Sequence, residues 1–251
     1  MSHIPSTPPP IAASAGPAGQ IVEAYVPPPG VFRTPRALRS WTMGLLLANG
    51  LIEVLNFGHS GFTLSFLASA KEDGSADQDV GMLIDLTAGL LGLGGIAVYI
   101  ATVVVFCCWF HRINKNAALV ATEKPPMSPG LAVGSFFIPI LCVFYPCKAA
   151  LFSWKSSARA VDPQSPASAT IVGVWWATWI LVNVVGRIVF KQAFSTGFSQ
   201  EAPSIEELER TEYVLMVGNV AGLLSAAVAT VMVAKMTALQ ARVEAFIERS
   251  A

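Results

Sequence analysis

Four stretches of about 20 mostly apolar residues, each bounded by charged residues, constrain this chain more than any other feature; they cover 38–58, 82–110, 170–190 and 213–235. A helix needs roughly 20 apolar residues to cross about 30 Å of hydrocarbon, because each residue adds about 1.5 Å along the helix axis. The pattern predicts an all-α integral membrane helical bundle with four transmembrane helices.

The composition supports a membrane protein and argues against two other classes. Hydrophobic residues make up 53% of the chain and charged residues only 13%, whereas a soluble domain carries roughly 25% charged residues. A soluble enzyme is therefore disfavoured. The 16 basic residues balance the 16 acidic ones, so the chain lacks the net positive charge expected of a nucleic-acid-binding protein.

A fifth apolar segment, 131–154, contains Pro139, Pro146 and Lys148 and could either cross the membrane or turn back. Basic residues accumulate on the cytoplasmic side of membrane proteins. If the segment does not cross, 12 basic residues lie on the cytoplasmic side and four on the other, whereas a crossing gives nine and seven. We therefore expect a proline-bent re-entrant or interfacial hairpin, with both termini cytoplasmic.

Both ends of the chain differ from the apolar middle. Residues 1–36 contain nine of the 17 prolines, a composition typical of disordered segments. Residues 237–251 have the pattern of an amphipathic helix that could lie on the inner leaflet. We predict a disordered proline-rich cytoplasmic tail over 1–36, a transmembrane helical domain over 37–236 and an amphipathic C-terminal helix over 237–251.

Polar residues recur at helical spacing along the predicted crossings and should face the interior of the bundle. Glu53 and Arg187 have similar predicted depths, and an unpaired charge at the centre of the bilayer costs roughly 2.5–3.5 kcal/mol on insertion scales. We expect these two residues to form an ion pair. The predicted intramembrane polar cluster consists of Glu53, Asn56, Asn183, Arg187 and Asn219.

The sequence nominates no metal site, cofactor or catalytic group. The four cysteines lie in or beside apolar stretches, the three histidines are widely separated, and the common phosphate-binding and hydrolase motifs are missing. We therefore expect no enzyme, no metal and no cofactor.

One run of motifs resembles a known bacterial family. The second crossing ends in W-x-x-R-x-x-x-N-A, followed by S-P-G-x-A-V-G, F-x-x-P-I and a later P-x-x-A beside a tryptophan. This order and spacing resemble domain-of-unknown-function family 4328, which implies a multi-pass bacterial membrane protein with no assigned activity. The residues that carry the resemblance include Trp109, Arg112, Asn116, Ser128, Pro129, Gly130, Pro139, Pro146 and Trp154.

Two roles are open for this motif. Arg112 could donate hydrogen bonds to backbone carbonyls that Pro139 and Pro146 leave without partners. Asn116 could bridge, Gly130 and Gly134 could permit close packing, and Trp109 with Phe110 could lie at the headgroup level. The alternative is that basic residues near the inner leaflet bind an anionic lipid headgroup or a cytoplasmic ligand.

The sequence favours a non-catalytic membrane scaffold or interaction module of the bacterial cytoplasmic membrane. The alternative is a component for transport of an ion, a proton or a small solute through the Glu53 and Arg187 cluster. The partners we expect are membrane lipids, a second copy of the chain in a homo-oligomer, and a cytoplasmic protein that binds the proline-rich tail as an extended polyproline helix.

Overall fold

The computed structural model describes residues 25–75, 77–197 and 203–250, and within these ranges the protein is all-α with no strand. Two 3₁₀ turns, Ser135–Phe137 and Leu141–Val143, lie between the third and fourth helices. The six helices are α1 (Arg36–Asp73), α2 (Gln78–Val120), α3 (Pro129–Gly134), α4 (Tyr145–Val161), α5 (Thr170–Gly197) and α6 (Ile205–Ser250).

Local sequence signals explain where several helices begin and end. Gly74 follows α1 with φ at +66°, the left-handed conformation that often terminates a helix and that glycine adopts without strain. Asp77 accepts hydrogen bonds from the first turn of α2. At the start of α6, Ser204 and Glu207 exchange side-chain-to-backbone hydrogen bonds at 3.0 and 3.2 Å, which is a capping box.

Three helices, α2, α5 and α6, are long and apolar enough to cross a membrane. The chain bends by 109° between Pro129–Phe137 and Leu141–Val161, and if this bent pair is one span the number rises to four. The predicted proline bend is therefore confirmed, with Pro139 at the break, and the angle fits both a re-entrant loop and a broken span; we call this bent segment the hairpin. The first predicted crossing, 38–58, lies on α1 but is not among the helices that reach the required apolarity, because Asn49, Glu53, Asn56 and His59 interrupt its apolar residues.

The chain folds into two compact units, and the four long helices contribute residues to both. Unit 1 comprises Met1–Ser40, Phe106–Gly173 and Val233–Ala251, and unit 2 comprises Trp41–Val105 and Val174–Met232.

Unit 2 has its large apolar side chains on the outside. Leu47 and Leu51 on α1, Leu93 on α2 and Ile188 on α5 are each more than half exposed. In the most apolar window of α2 only 6% of the residues are buried. Such a continuous exposed apolar surface is typical of helices that face lipid.

Unit 1 has a conventional core made by three helices. Side chains at a spacing of three or four residues on α2, α4 and α6 are buried against one another. Trp109 and Phe110 are fully buried in this core, so their side chains contact protein and do not face lipid headgroups. Other fully buried members of the core are Ile113, Ala117, Ala150, Met236 and Val243.

At both ends of the described chain, the structure differs from the predicted division into domains. Residues 1–24 lie outside the described residues, but residues 25–35, which we call the strap, run without regular structure along unit 1 and make hydrogen bonds to it. At the other end, 237–250 is an uninterrupted continuation of α6, and Thr237, Gln240 and Val243 are buried in unit 1. The prediction of a separate surface helix is wrong because this stripe of side chains packs on α2 and α4 instead of on lipid.

Candidate functional site

A polar interior lies in unit 1 and centres on two fully buried amides, Asn116 on α2 and Gln240 on α6. Asn116 Nδ2 donates to Gln240 Oε1 at 2.9 Å and to the backbone carbonyl of Arg33 at 2.8 Å. Gln240 Nε2 donates to the carbonyl of Ile113 at 2.9 Å and to Ser157 Oγ at 3.5 Å. One pair of side chains thus joins the strap, α2, α4 and α6.

Two further buried contacts extend this amide network along α2. Trp109 Nε1 donates to Thr237 Oγ1 at 3.0 Å, which bonds α2 to α6. Ser153 Oγ donates to Asn114 Oδ1 at 3.0 Å, which bonds α4 to α2. A buried polar group without a partner costs about 1–3 kcal/mol, so such paired groups favour one helix register over its alternatives.

The strap is held at several points on the same unit. The Tyr25 hydroxyl donates to the carbonyl of Ala118 at 3.2 Å, and partial burial raises the pKa of this hydroxyl. The backbone N–H of Thr34 donates to Glu244 Oε1 at 3.1 Å, and Arg36 bonds the other carboxylate oxygen at 3.4 Å. Gly30 passes so close to Leu119 that an added Cβ would lie 3.0 Å from its side chain.

Two polar atoms where the strap meets α2, Thr34 Oγ1 of the strap and Asn116 Oδ1 of α2, are buried without a hydrogen-bond partner among the described residues. The hydrogen bonds between the strap and α2 therefore leave one acceptor atom on each of them without a partner.

The motif residues singled out in the sequence have different positions from those expected. Arg112 Nε donates at 3.4 Å to the carbonyl of Arg33 in the strap, so the expected bonds from Arg112 to the hairpin are replaced by a bond to the strap. The hairpin is held instead by Phe136, whose ring lies 5.3 Å from that of Phe110 in an edge-to-face arrangement. An added Cβ at Gly130 would meet no atom within 4 Å, and the same is true of Gly134, so the prediction that these two glycines permit close packing is wrong.

The remaining motif residues shape the ends of the hairpin. Ser128 caps α3 by accepting a hydrogen bond from Leu131, and Pro129 occupies the first turn of that helix. Pro146 is buried in the first turn of α4, where its missing N–H is not required. Trp154 is half-buried on α4.

A second polar cluster lies in unit 2 around Glu53. The amide of Asn219, oriented as its neighbours require, donates to Glu53 Oε2 at 3.1 Å and accepts from the backbone N–H of Phe57 at 3.2 Å. The carboxylate lies against the backbone of α6 at Gly222, where an added Cβ would lie 2.5 Å from Glu53 Oε1. Gly222 is therefore the residue that makes room for the Glu53 side chain.

The predicted ion pair between Glu53 and Arg187 is not formed. Glu53 is directed at α6, whereas Arg187 lies on an exposed face of α5. Asn183 is also exposed and donates to the carbonyl of Trp179 in its own helix at 2.7 Å. Asn56 is half-buried one turn from Glu53. Of the five residues in the predicted cluster, the structure brings Glu53 and Asn219 into hydrogen-bond contact.

Two other contacts, not predicted from sequence, bond α1 to α2 in unit 2. Asn49 Nδ2 donates to Thr102 Oγ1 at 2.5 Å. His59 Nε2 lies 3.0 Å from Thr87 Oγ1 and 3.1 Å from the carbonyl of Ile84. Together with Glu53, these side chains bind α1 to two neighbouring helices at three levels.

Sequence reasoning also missed Gln240, although a signal for it existed. Gln240 lies seven residues after Val233, and Val243 lies seven after Met236, so all four share one face of α6. This repeat continues the buried stripe of the crossing. The prediction of a separate amphipathic helix over 237–251 does not use this repeat.

The contacts described above join helices to one another and to the strap. Within the described ranges, no group of three or more His, Cys, Asp or Glu side chains converges as a metal site would require. The side-chain nitrogens of Asn116 and Gln240 donate to the protein's own backbone and side chains.

The fold and its exposed apolar helices define a helical membrane protein. The family profile described as Domain of unknown function (DUF4328) matches residues 72–238, about two thirds of the chain, and the chain belongs to this family. The resemblance inferred from the motifs is thereby confirmed. No curated protein and no solved structure matches the chain.

Replacing Gln240 by leucine tests the amide network. The new side chain has a similar size but removes the buried hydrogen bonds that Gln240 makes with Asn116 and with the carbonyl of Ile113, so we expect the free energy of unfolding to fall by about 1–3 kcal/mol. Denaturation with sodium dodecyl sulphate in mixed micelles measures this. Gln164→Leu, at an exposed position, is the matched control and should change stability by less than about 0.5 kcal/mol. Equal effects of the two changes would contradict the assigned role of Gln240.

Replacing Gly222 by alanine tests the packing of Glu53 on α6. The added methyl group meets the carboxylate, so we expect a loss of about 1–3 kcal/mol in the same unfolding measurement. Gly92→Ala is the control, since nothing lies within 4 Å of an added Cβ there; it should be neutral or stabilising by up to about 1 kcal/mol. A Glu53→Ala background should relieve most of the cost of Gly222→Ala, and an unchanged cost in that background would refute the contact.

Proposed function

We propose that the protein is a non-catalytic membrane scaffold or interaction module that holds its proline-rich N-terminal segment at one face of the membrane. One observation carries this proposal: the buried Asn116 side chain donates a hydrogen bond to the backbone carbonyl of Arg33 in the strap. Burying an amide costs free energy, because the group loses its hydrogen bonds to water. Its use to hold the strap indicates that the position of the strap matters.

The contacts of the strap favour this function over ligand binding within unit 1. Asn116, Gln240 and Glu244 bond the protein itself. The tail that continues from Tyr25 toward the N-terminus is rich in proline, and such segments bind aromatic grooves of partner proteins as extended polyproline helices at low entropic cost. A fixed strap would present this tail at a constant place.

The organisation of unit 1 supports an even number of crossings with both termini on one side. Unit 1 contains the start of α1, the end of α2, the start of α5 and the end of α6. The hydrogen bond from Thr34 to Glu244 joins the strap directly to the C-terminal part of α6. The exposed apolar face of α1 favours that helix as the fourth crossing, and the distribution of basic residues favours a cytoplasmic position for both termini. The family resemblance favours the bacterial cytoplasmic membrane.

The partners that we propose are membrane lipids along the exposed helices, a second copy of the chain, and a cytoplasmic protein that binds the tail. The exposed apolar area of unit 2 supports lipid contact and leaves surface for association between copies.

A photoreactive amino acid at Ile11 tests the tail as a binding segment. We expect a discrete cross-linked adduct in intact cells, because a partner that binds the tail lies within reach of this position. Replacing Pro8, Pro9 and Pro10 by alanine should abolish the adduct, since grooves that bind polyproline helices recognise proline side chains. The same amino acid at Ser75, on the opposite side in the proposed topology, should not give it. The proposal would be contradicted if the photoreactive amino acid at Ile11 gave no adduct, or if the adduct persisted after the three prolines were replaced.

A second candidate function is transport of an ion, a proton or a small solute. The observation that favours it is the half-buried carboxylate of Glu53, which has an amide partner in Asn219 but no cationic partner among the described residues. Ionisable residues inside membranes often mark transport pathways.

Reconstitution into liposomes discriminates between these functions. A scaffold should give no pH-driven flux of protons or cations above that of protein-free liposomes, because Glu53 then serves only to pack α1 on α6. A transporter should give flux that Glu53→Gln reduces to the protein-free level and that Asp85→Asn, a change at an exposed acid on α2, leaves intact. Flux with that pattern would replace the scaffold proposal.

A further inference from the structure

A continuous groove runs between α5 and α6 in unit 2. It consists of two adjoining cavities of about 480 and 360 Å³ that share Val185 and Val217 as lining residues. From Arg210 to Leu224 the groove extends about 21 Å along α6, more than the roughly 15 Å of one hydrocarbon leaflet. Its dimensions therefore suit an acyl chain.

Most of the groove is lined by aliphatic side chains. Ile188 and Val189 from α5 face Val214 from α6 in the first cavity, and Leu181 faces Val220 in the second. An apolar groove inside a bilayer gives no hydrophobic gain, since lipid tails already surround it. Any selectivity for one lipid must therefore come from polar groups at the end of the groove.

Polar groups of both signs lie at one end. Glu206, Glu209, Arg210 and Tyr213 line the first cavity together. Tyr213 is 61% exposed, and tyrosine at such a position marks the level of lipid headgroups. This end of the groove therefore offers a cation and carboxylates at the depth of a headgroup.

The charged residues at this end of the groove differ in whether they form ion pairs. Lys71 pairs with Glu206 at 3.3 Å and more weakly with Glu209 at 4.0 Å. Arg210 is exposed and forms no ion pair with a described residue. An anionic headgroup would meet the two glutamates, whereas a headgroup that carries both a phosphate and an ammonium group finds a partner for each charge.

We propose that the α5–α6 groove binds one phosphatidylethanolamine molecule, with its phosphate at Arg210, its ammonium group at Glu209 and one acyl chain along the groove. The guanidinium donates to phosphate oxygens. The primary ammonium group donates hydrogen bonds to the carboxylate. Phosphatidylcholine has the same charges but no N–H to donate, and phosphatidylglycerol has no cation, so both should bind less well.

Native mass spectrometry of the full chain released from nanodiscs tests this site. With equal amounts of the three lipids and matched acyl chains, we expect one retained phosphatidylethanolamine per chain. Arg210→Gln should lower its retention about tenfold, since a charge-assisted hydrogen bond is lost, and Glu209→Gln should remove the preference over phosphatidylcholine. Arg187→Gln is the control, because Arg187 is exposed on α5 but does not line the groove. Equal retention of the three lipids, a preference for either of the others, or equal effects of the Arg210 and Arg187 changes would overturn the proposal.

Blocking the groove gives an independent measurement. Val185→Trp fills the space shared by the two cavities and should lower phosphatidylethanolamine retention about as much as Arg210→Gln does. Val184→Trp, on the exposed neighbouring position, should have no effect. Retention that survives Val185→Trp in a chain with unchanged helix content would overturn the assignment of the acyl chain to this groove.

Discussion

The lack of water inside a bilayer controls how this protein uses its polar side chains. A polar group in hydrocarbon must find a partner within the protein. In unit 2 the amide of Asn219 satisfies Glu53, the hydroxyl of Thr102 satisfies Asn49, and His59 meets Thr87. Each contact bonds α1 to a neighbouring helix. The polar residues that keep α1 below the apolarity of the three candidate spans are thus the residues that attach it to the neighbouring helices.

Buried polar side chains in unit 1 also have partners within the protein, and these partners include backbone carbonyl groups. Asn116 and Gln240 bond each other and also reach carbonyl groups of the strap and of α2. A side chain of leucine could fill the same volume but would select no register, since apolar packing tolerates many similar arrangements. Asn116 therefore helps to define where the strap lies, and this contact is the basis of the proposal that the protein positions its N-terminal segment.

The helical fold and the family were accessible from sequence because they depend on local patterns. The long apolar stretches predicted helices within a membrane, and Pro139 predicted the bend of the hairpin. The motif that begins at Trp109 predicted the family. The hydrogen-bond and ion-pair partners of the polar side chains were harder to predict from the sequence. Glu53 and Arg187 have opposite charges and similar depth, yet depth carries no information about rotation around a helix axis. Gly222, which opens space for Glu53 on α6, decided the partner instead.

The sequence by itself determined that this chain is an all-α membrane protein with a bent hairpin, because length, apolarity and proline positions act within a single segment. The tertiary structure alone decided that the strap is bound to unit 1, that α6 continues into that unit, and that Arg112 bonds the strap. It also created the α5–α6 groove. These features arise from contacts between residues that are distant in sequence, and the helical periodicity of one segment does not specify which neighbour its polar face will meet.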